Sequence, residues 1–251
     1  MISSHLMGGL GNMMFQIAAG YSHSLRMEEK FMISYNHMTI QNHPPFMEYE
    51  SNIFRNVQTG KIDTNIKYTE PFFNYHPLSA VKNTLFWGYF QSEKYFINHE
   101  SEIRSLFEPS ETIKKNLKDR YGNVNDYTSL HVRRGDYLNL SAHHPTCTME
   151  YYKKALNRCP GKVLVFSDDI DWCKNNFLDP RFEFVSNNLD YEDLYLMSMC
   201  KNNIIANSSF SWWGAWLNKN PNKVVIAPKV WFGSAINHDT KDLLPVSWTT
   251  M

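Results

Sequence analysis

SLHVRRGDY, residues Ser129 to Tyr137, decides the fold. A short run with apolar and β-forming residues, Ser129 to Arg133, passes without a break into paired arginines, a glycine and an aspartate. A strand that ends this way suits an open parallel sheet, whose strands are covered on both faces and whose carboxyl-end loops carry the polar groups. The pattern recurs outward from this stretch. Val163 to Phe166 runs into Ser167, Asp168 and Asp169, and Asn203 to Ala206 runs into Asn207, Ser208 and Ser209. Phe182 to Val185 and Val224 to Ala227 read as two more strands. Helical stretches lie between them at Met149 to Cys159, Ile170 to Phe177, Tyr191 to Cys200 and Phe210 to Leu217. Regular alternation of strand and helix predicts a doubly wound, Rossmann-like lobe. Asp190, with Asp193 after it, is expected to cap one of these helices, and Ser208 or Ser209 another.

The N-terminal region opens with a similar unit. Ile2 to Met7 reads as a strand, GGLGN (Gly8 to Asn12) as a glycine loop, and the next stretch as a helix with an apolar face at Met14, Ala18, Tyr21 and Leu25. Phe31 to Tyr35 follows as a strand. Residues 36 to 80 show no sustained periodicity and read as loops and short elements. Glu100 to Asn125 carries the chain from a first lobe, 1–120, to a second, 121–251.

The chain has 251 residues, and its formal net charge is zero. That balance gives no electrostatic case for nucleic acid as a partner. Cys147, Cys159, Cys173 and Cys200 form no CxxC pair and have no histidines at zinc spacing, so they read as reduced thiols of a cytoplasmic protein. No signal peptide or membrane-spanning stretch is expected. A peripheral association with a membrane stays open.

The candidate site residues are those that follow the strands. Arg133 and Arg134 offer planar donor forks matched to phosphate oxygens. The alternative for the second arginine is an internal ion pair with Asp136. Asn207, Ser208 and Ser209 stand where a helix begins, and helix N-termini bind phosphate; simple capping is the alternative. Phe210, Trp212, Trp213 and Trp216 read mainly as core. Asp169 and Asp171 form a DxD pair that could hold a divalent cation, although two arginines already suffice to neutralise a diphosphate. Asp168 is placed to accept hydrogen bonds from a base or ribose. The glycines of the first loop, Gly9 and Gly11 among them, allow close approach of a ligand, or mark only a tight turn with Asn12 as cap. Trp87, Tyr89, Gln91, Glu93 and Tyr95 alternate at strand period, so that one face could hold a sugar or cover a core edge.

HVRRGDYL (His131 to Leu138), SDDIDW (Ser167 to Trp172) and NSSFSWWGAWL (Asn207 to Leu217) resemble the corresponding segments of the bacterial-type α-1,2-fucosyltransferases. GGLGNMMFQ (Gly8 to Gln16) and GYFQSEKYF (Gly88 to Phe96) resemble two further segments, in the same order and at matching spacing. This family is similar to the α-1,6- and protein O-fucosyltransferases. The resemblance implies an α/β, GT-B-like fold of two facing Rossmann-like lobes with mainly parallel sheets, the cleft holding GDP-fucose and a glycan acceptor. It implies inverting transfer with no metal or other cofactor. It also places Arg133 at the β-phosphate, Arg134 in support, His131 and Asp168 near the guanine, Ser208 and Ser209 at the phosphates, and Asn12 close to the transferred sugar. The family usually has Gln after this asparagine, where the chain has Met13. The tract from His37 to Pro77 would then shape the acceptor site. Two rival readings are a metal-dependent GT-A transferase using Asp169 and Asp171, and a non-catalytic sugar-binding protein built on seven tryptophans. The arginine doublet fits the second poorly, because neutral sugars do not call for it.

Overall fold

The structure is a computed structural model that describes residues 1–39, 44–64 and 66–251. The part of the 37–77 tract at 40–43 and 65 therefore lies outside the described residues. The chain forms two compact units. One comprises Met1–Ser110 and His238–Pro245, the other Glu111–Asn237 and Val246–Met251. A single cut at residue 120 does not describe this division, because the first unit takes back a segment near the C-terminus.

In the first unit the elements are β1 (Ile2–Ser4), β2 (Leu6–Met7), α1 (Leu10–Met27), β3 (Met38–Thr39), α2 (Phe46–Tyr49), β4 (Ile66–Thr69), β5 (Thr84–Trp87) and α3 (Glu100–Leu106). β1, β5 and β4 form a parallel sheet in the order β1-β5-β4, and β2 pairs in parallel with β3. The strand expected from Ile2 to Met7 is thus split at His5. The His5 amide still donates to Phe86 O at 2.8 Å, whereas the Leu6 amide donates to His37 O at 2.9 Å, so the chain changes partner at this residue. Phe31 and Ile33 make isolated bridges to Ile2 and Thr59 in place of the expected strand. Met14 and Ala18 of α1 are buried as their spacing predicts, together with Phe15, Ile17 and Ala19. β5 stops at Trp87. Phe90 takes a left-handed φ of 52°, and Glu93–Tyr95 form a single 3-10 turn, so the alternating face expected from Trp87 to Tyr95 is not built.

The second unit contains α4 (Glu111–Tyr121), β6 (Thr128–Val132), α5 (Met149–Arg158), β7 (Val163–Ser167), α6 (Ile170–Asn176), β8 (Phe182–Phe184), α7 (Asp190–Met199), β9 (Asn202–Ile204), α8 (Ser209–Leu217), β10 (Val225–Ala227) and β11 (Thr249–Thr250). All six strands are parallel, in the order β11-β10-β9-β6-β7-β8. The chain winds outward from β6 through β7 and β8, then returns to the other side of β6 and continues through β9, β10 and β11. The order reverses between β6 and β9, and such a switch point is where open α/β sheets bind ligands. Leu130, Val132, Val163, Val165, Ile204 and Ile226 form the sheet's part of the core. Trp212, Trp213 and Trp216 of α8 are buried, with Trp212 and Trp213 fully so, which matches the core reading of the aromatic run. Fully burying side chains of this size stabilises by about 2–3 kcal/mol each.

Two helix starts differ from expectation. Leu189, not Asp190, occupies the cap position of α7, because Glu192 reaches back to accept from the Leu189 amide at 3.0 Å. In α1 the cap position belongs to Gly9, and Asn12 lies within the first turn.

Candidate active site

The arginines are presented by the central strand of the second unit. β6 is buried along its length, and its last residue, Val132, hands the chain to Arg133 at the carboxyl edge. Arg133 Nη2 lies 2.7 Å from Asp136 Oδ1, and its Nη1 lies 3.0 Å from Asp168 Oδ2. Its guanidinium is also 5.5 Å from the centre of the Tyr137 ring. The arginine is therefore oriented before any ligand arrives, yet its side chain retains 29% exposure and can be reached. Arg134 is the more enclosed of the two. Its Nε lies 2.9 Å from Asp169 Oδ2, and its guanidinium stacks 4.0 Å from the centre of the Trp172 ring. The Asp136 ion pair considered for the second arginine is thus made by the first.

Asp168 connects the two arginines, since its Oδ1 accepts from the Arg134 amide at 2.9 Å while its Oδ2 meets Arg133. Gly135 makes this possible: a Cβ there would come 2.6 Å from Asp168 Oδ2. Asp169 caps α6 by accepting from the Trp172 amide at 3.2 Å. Asp171 is 90% exposed and faces Lys174 at 3.6 Å. The DxD carboxylates are thus committed to different partners. Among the described residues, no group of three or more His, Cys, Asp or Glu is arranged to hold a metal ion.

His131 is buried in β6 and lies 5.5 Å, ring to ring, from Phe210. Burial, aided by the neighbouring Arg133 charge, lowers its pKa to about 3, so the imidazole is neutral at physiological pH. Its Nδ1 is buried without a hydrogen-bond partner in the protein, which is costly unless a ligand or water satisfies it. Tyr152, on α5, steadies this strand end by donating to His131 O at 3.2 Å.

Across the switch point, Asn207 and Ser208 lead from β9 into α8. The Asn207 amide is used within the protein: Nδ2 donates to Pro145 O and Trp231 O at 2.9 Å each, and Oδ1 accepts from Cys147 Sγ at 3.5 Å. Tyr137 OH donates to Asn207 O at 3.0 Å, which ties this loop to the one bearing Arg133. Ser208 occupies the cap position of α8, but its hydroxyl makes no capping bond. A helix start whose leading hydroxyl makes no capping bond is suited to an anion.

In the first unit, Gly8 takes a left-handed φ of 77°, and Gly9 and Gly11 bracket the start of α1. Asn12 Oδ1 accepts from Gln91 Nε2 at 2.8 Å, which joins the GGLGN and GYFQ segments. Met13 is buried, so position 13 offers no polar group to a ligand. Gln16 clamps the loop through both amide atoms on Met7, at 3.0 and 3.2 Å. At the same edge, Glu70 follows β4 and accepts from the Tyr89 and Phe90 amides at 2.7 and 3.0 Å. Glu70 and Tyr152 carry no signal in the sequence, and Tyr137 enters it only as part of the HVRRGDYL segment, with no role of its own. Glu70 lies in the aperiodic 36–80 tract, and the tyrosines act through backbone atoms that no motif records.

Comparison with known proteins follows the same line. The profile described as Glycosyl transferase family 11 matches residues 4–251. The O-antigen biosynthesis glycosyltransferase WbnK of Escherichia coli is 32% identical, with 99% of each chain covered. An α-1,2-colitosyltransferase of Escherichia coli is 33% identical over 92% of each chain. A galactoside 2-α-L-fucosyltransferase of Caenorhabditis elegans is 31% identical over 54% of this chain and 43% of that protein. Among solved structures, the fucosyltransferase NodZ from Bradyrhizobium is similar in fold, with a TM-score of 0.54, 15% identity, and 84% of this chain and 91% of that chain covered. POFUT1 in complex with GDP-fucose gives a TM-score of 0.52 at 11% identity, covering 89% and 96%. The fold is thus the α/β, GT-B-like one of these transferases, with mainly parallel sheets. With its two arginines at a Rossmann switch point and a family profile matched almost end to end, the chain belongs to glycosyl transferase family 11 and is a glycosyltransferase.

Proposed function

We propose that the protein transfers L-fucose from GDP-β-L-fucose to the 2-hydroxyl of a galactose-containing glycan, with inversion. The observation that carries this reading is Arg133 at the end of β6, oriented by Asp136 and Asp168 beside the start of α8. In the proposed reaction the second unit holds the donor. Arg133 meets the β-phosphate, Arg134 supports it, and Ser208 and Ser209 supply hydroxyl and N–H groups to the phosphates. Asp168 and His131 serve the guanine end. Gly9, Gly11 and Asn12 of the first unit serve the transferred sugar, and that unit carries the acceptor.

Glycosyl transfer passes through an oxocarbenium-like transition state, so stabilising the departing diphosphate matters most. A preorganised guanidinium interacts more strongly as charge builds on the leaving oxygen, an effect worth about 3 kcal/mol or more for a single such contact. No step calls for a metal. Asn207 contributes its main chain and its scaffold, because its side chain is already engaged. We place the reaction in the cytoplasm, where four free cysteines persist as thiols. Among the described residues, no helix is long and apolar enough to cross a membrane.

The test is incubation with GDP-fucose and a panel of galactose-terminated glycans, followed by GDP release and linkage analysis. A 1,2-linked fucoside supports the reading, and absence of any transfer from GDP-fucose sinks it. The 33% identical colitosyltransferase supports a second reading, in which colitose replaces fucose. Supplying both nucleotide sugars in competition decides between them.

A further inference from the structure

We propose that Glu70 is the general base of the reaction, accepting the proton of the acceptor hydroxyl as that oxygen attacks the anomeric carbon. The inference rests on the fucosyl-transfer reading above and deepens it.

Glu70 stands at the carboxyl end of β4, the edge of a parallel sheet where ligand-contacting groups gather. Its carboxylate is fixed by backbone. Oε2 accepts from Tyr89 N at 2.7 Å and Phe90 N at 3.1 Å, while Oε1 accepts from Phe90 N at 3.0 Å. A carboxylate oxygen has two acceptor positions, so Oε1 retains one for a substrate hydroxyl. The backbone from Gly88 to Phe90 is shaped around this group. A Cβ on Gly88 would come 2.6 Å from Glu70 Oε2, and Phe90 sits in the left-handed region at φ 52°. Such non-glycine strain concentrates at functional sites. The next residue, Gln91, donates to Asn12, the residue assigned to the transferred sugar. Glu70 and Asn12 are thus positioned by one short loop.

Pairing separates Glu70 from the other acids considered. Asp136, Asp168 and Asp169 each bind an arginine, whereas Glu70 has no ion-pair partner among the described residues. The titratable groups around it are Tyr68 of β4, His76 in the following loop and Tyr95 of the 3-10 turn. Burial raises its pKa to about 7, with the Phe90 and Tyr89 amides opposing the shift. A base in this range can hold a proton during transfer and release it afterwards. The step balances. The acceptor oxygen forms its bond to C1 as the bond from C1 to the β-phosphate oxygen breaks. GDP leaves with the electron pair, the hydroxyl proton passes to Glu70 Oε1, and it is then released to solvent.

Glu70→Gln keeps the shape and one acceptor atom. Its expected effect is a fall in kcat of at least about 100-fold, the usual contribution of general-base catalysis. KM for GDP-fucose should change by less than about threefold, and the acidic limb of the wild-type kcat profile near pH 7 should disappear. Formate should restore part of the activity of Glu70→Ala, which a purely structural role would not allow. A folded Glu70→Gln protein within about fivefold of wild-type kcat overturns the proposal, as does one that keeps the acidic limb, or Glu70→Ala that formate leaves unchanged. Should the variants fail to fold, a wild-type kcat profile with no acidic limb between about pH 5 and 8 overturns it. A wild-type protein that moves no fucose defeats the underlying reading, whereas an active wild type with a fully active Glu70→Gln defeats only the base.

Discussion

Arg133 Nη1 lies 3.0 Å from Asp168 Oδ2, so the arginine that ends β6 is aimed by the acid that follows the neighbouring strand β7. The pair is partly exposed, at 29% and 25%, and such a pair adds little to stability. Its consequence is orientation. Arg133→Ala is expected to lower kcat by at least about 100-fold, the scale of losing one electrostatic contact to the leaving group. The thermal midpoint should move by no more than a few degrees. Near-normal turnover in the folded variant would remove Arg133 from the mechanism.

Gly135→Ala tests the same geometry from the other side. The added methyl would meet Asp168 Oδ2 at 2.6 Å and push the carboxylate away from both arginines. Donor affinity measured by calorimetry should fall about tenfold or more while secondary structure is retained. Unchanged affinity would mean that Asp168 has no part in holding the arginines for the donor.

Asn207 and Ser208 are adjacent yet should fail differently. Asn207→Ala strands the Pro145 and Trp231 carbonyls and should cost about 3 kcal/mol in urea unfolding. Ser208→Ala removes a hydroxyl with no capping bond, so stability should hardly change while GDP-fucose affinity falls about tenfold. The reverse pattern would make Ser208 the scaffold residue.

His131 links stability to acid. Its folded pKa of about 3 lies below the ordinary 6.5, so between these values the unfolded chain holds a proton that the folded protein lacks. The contribution is therefore complete above pH 6.5 and lost as pH falls, by about 2 kcal/mol at pH 5. Glu70 and Asp193, raised to about 7 and 6, act in the opposite direction as pH falls. The measurement is thus a comparison: between pH 7 and 5, urea midpoints of His131→Asn should fall less than those of wild type. Equal falls would show that His131 is not the group being protonated.

Asp171→Ala should leave turnover within about twofold of wild type, because its side chain is 90% exposed and faces Lys174 at 3.6 Å. Treatment with a strong chelator should likewise leave the rate unchanged. A large loss in either experiment would revive a metal held by the DxD pair.

The second unit was legible where short, mostly apolar strands such as β7 and β10 alternate with helices and where polar residues follow β6, β7 and β9, whereas β11, Thr249–Thr250, carries no such signal. The strands β6 and β7 fall within a residue of their expected bounds, since burial on both faces leaves little freedom in where a strand stops, whereas β9 ends at Ile204, two residues before the expected Ala206. The first unit was less legible. The split at His5 depends on strand partners far along the chain, and Glu70 lies in a tract with no period to read.

By itself the sequence determined that Arg133, Asp168 and Ser208 each follow a strand, because the alternation of strand and helix places such residues at one edge of a parallel sheet. Only the tertiary structure decided how they are used. It gave Asp136 to Arg133 and Asp169 to Arg134, spent the Asn207 amide on scaffold and left the Ser208 hydroxyl outside any cap. The physical reason is that ion pairs and hydrogen bonds are settled by ångström distances between side chains from different strands and loops, which spacing along the chain does not specify.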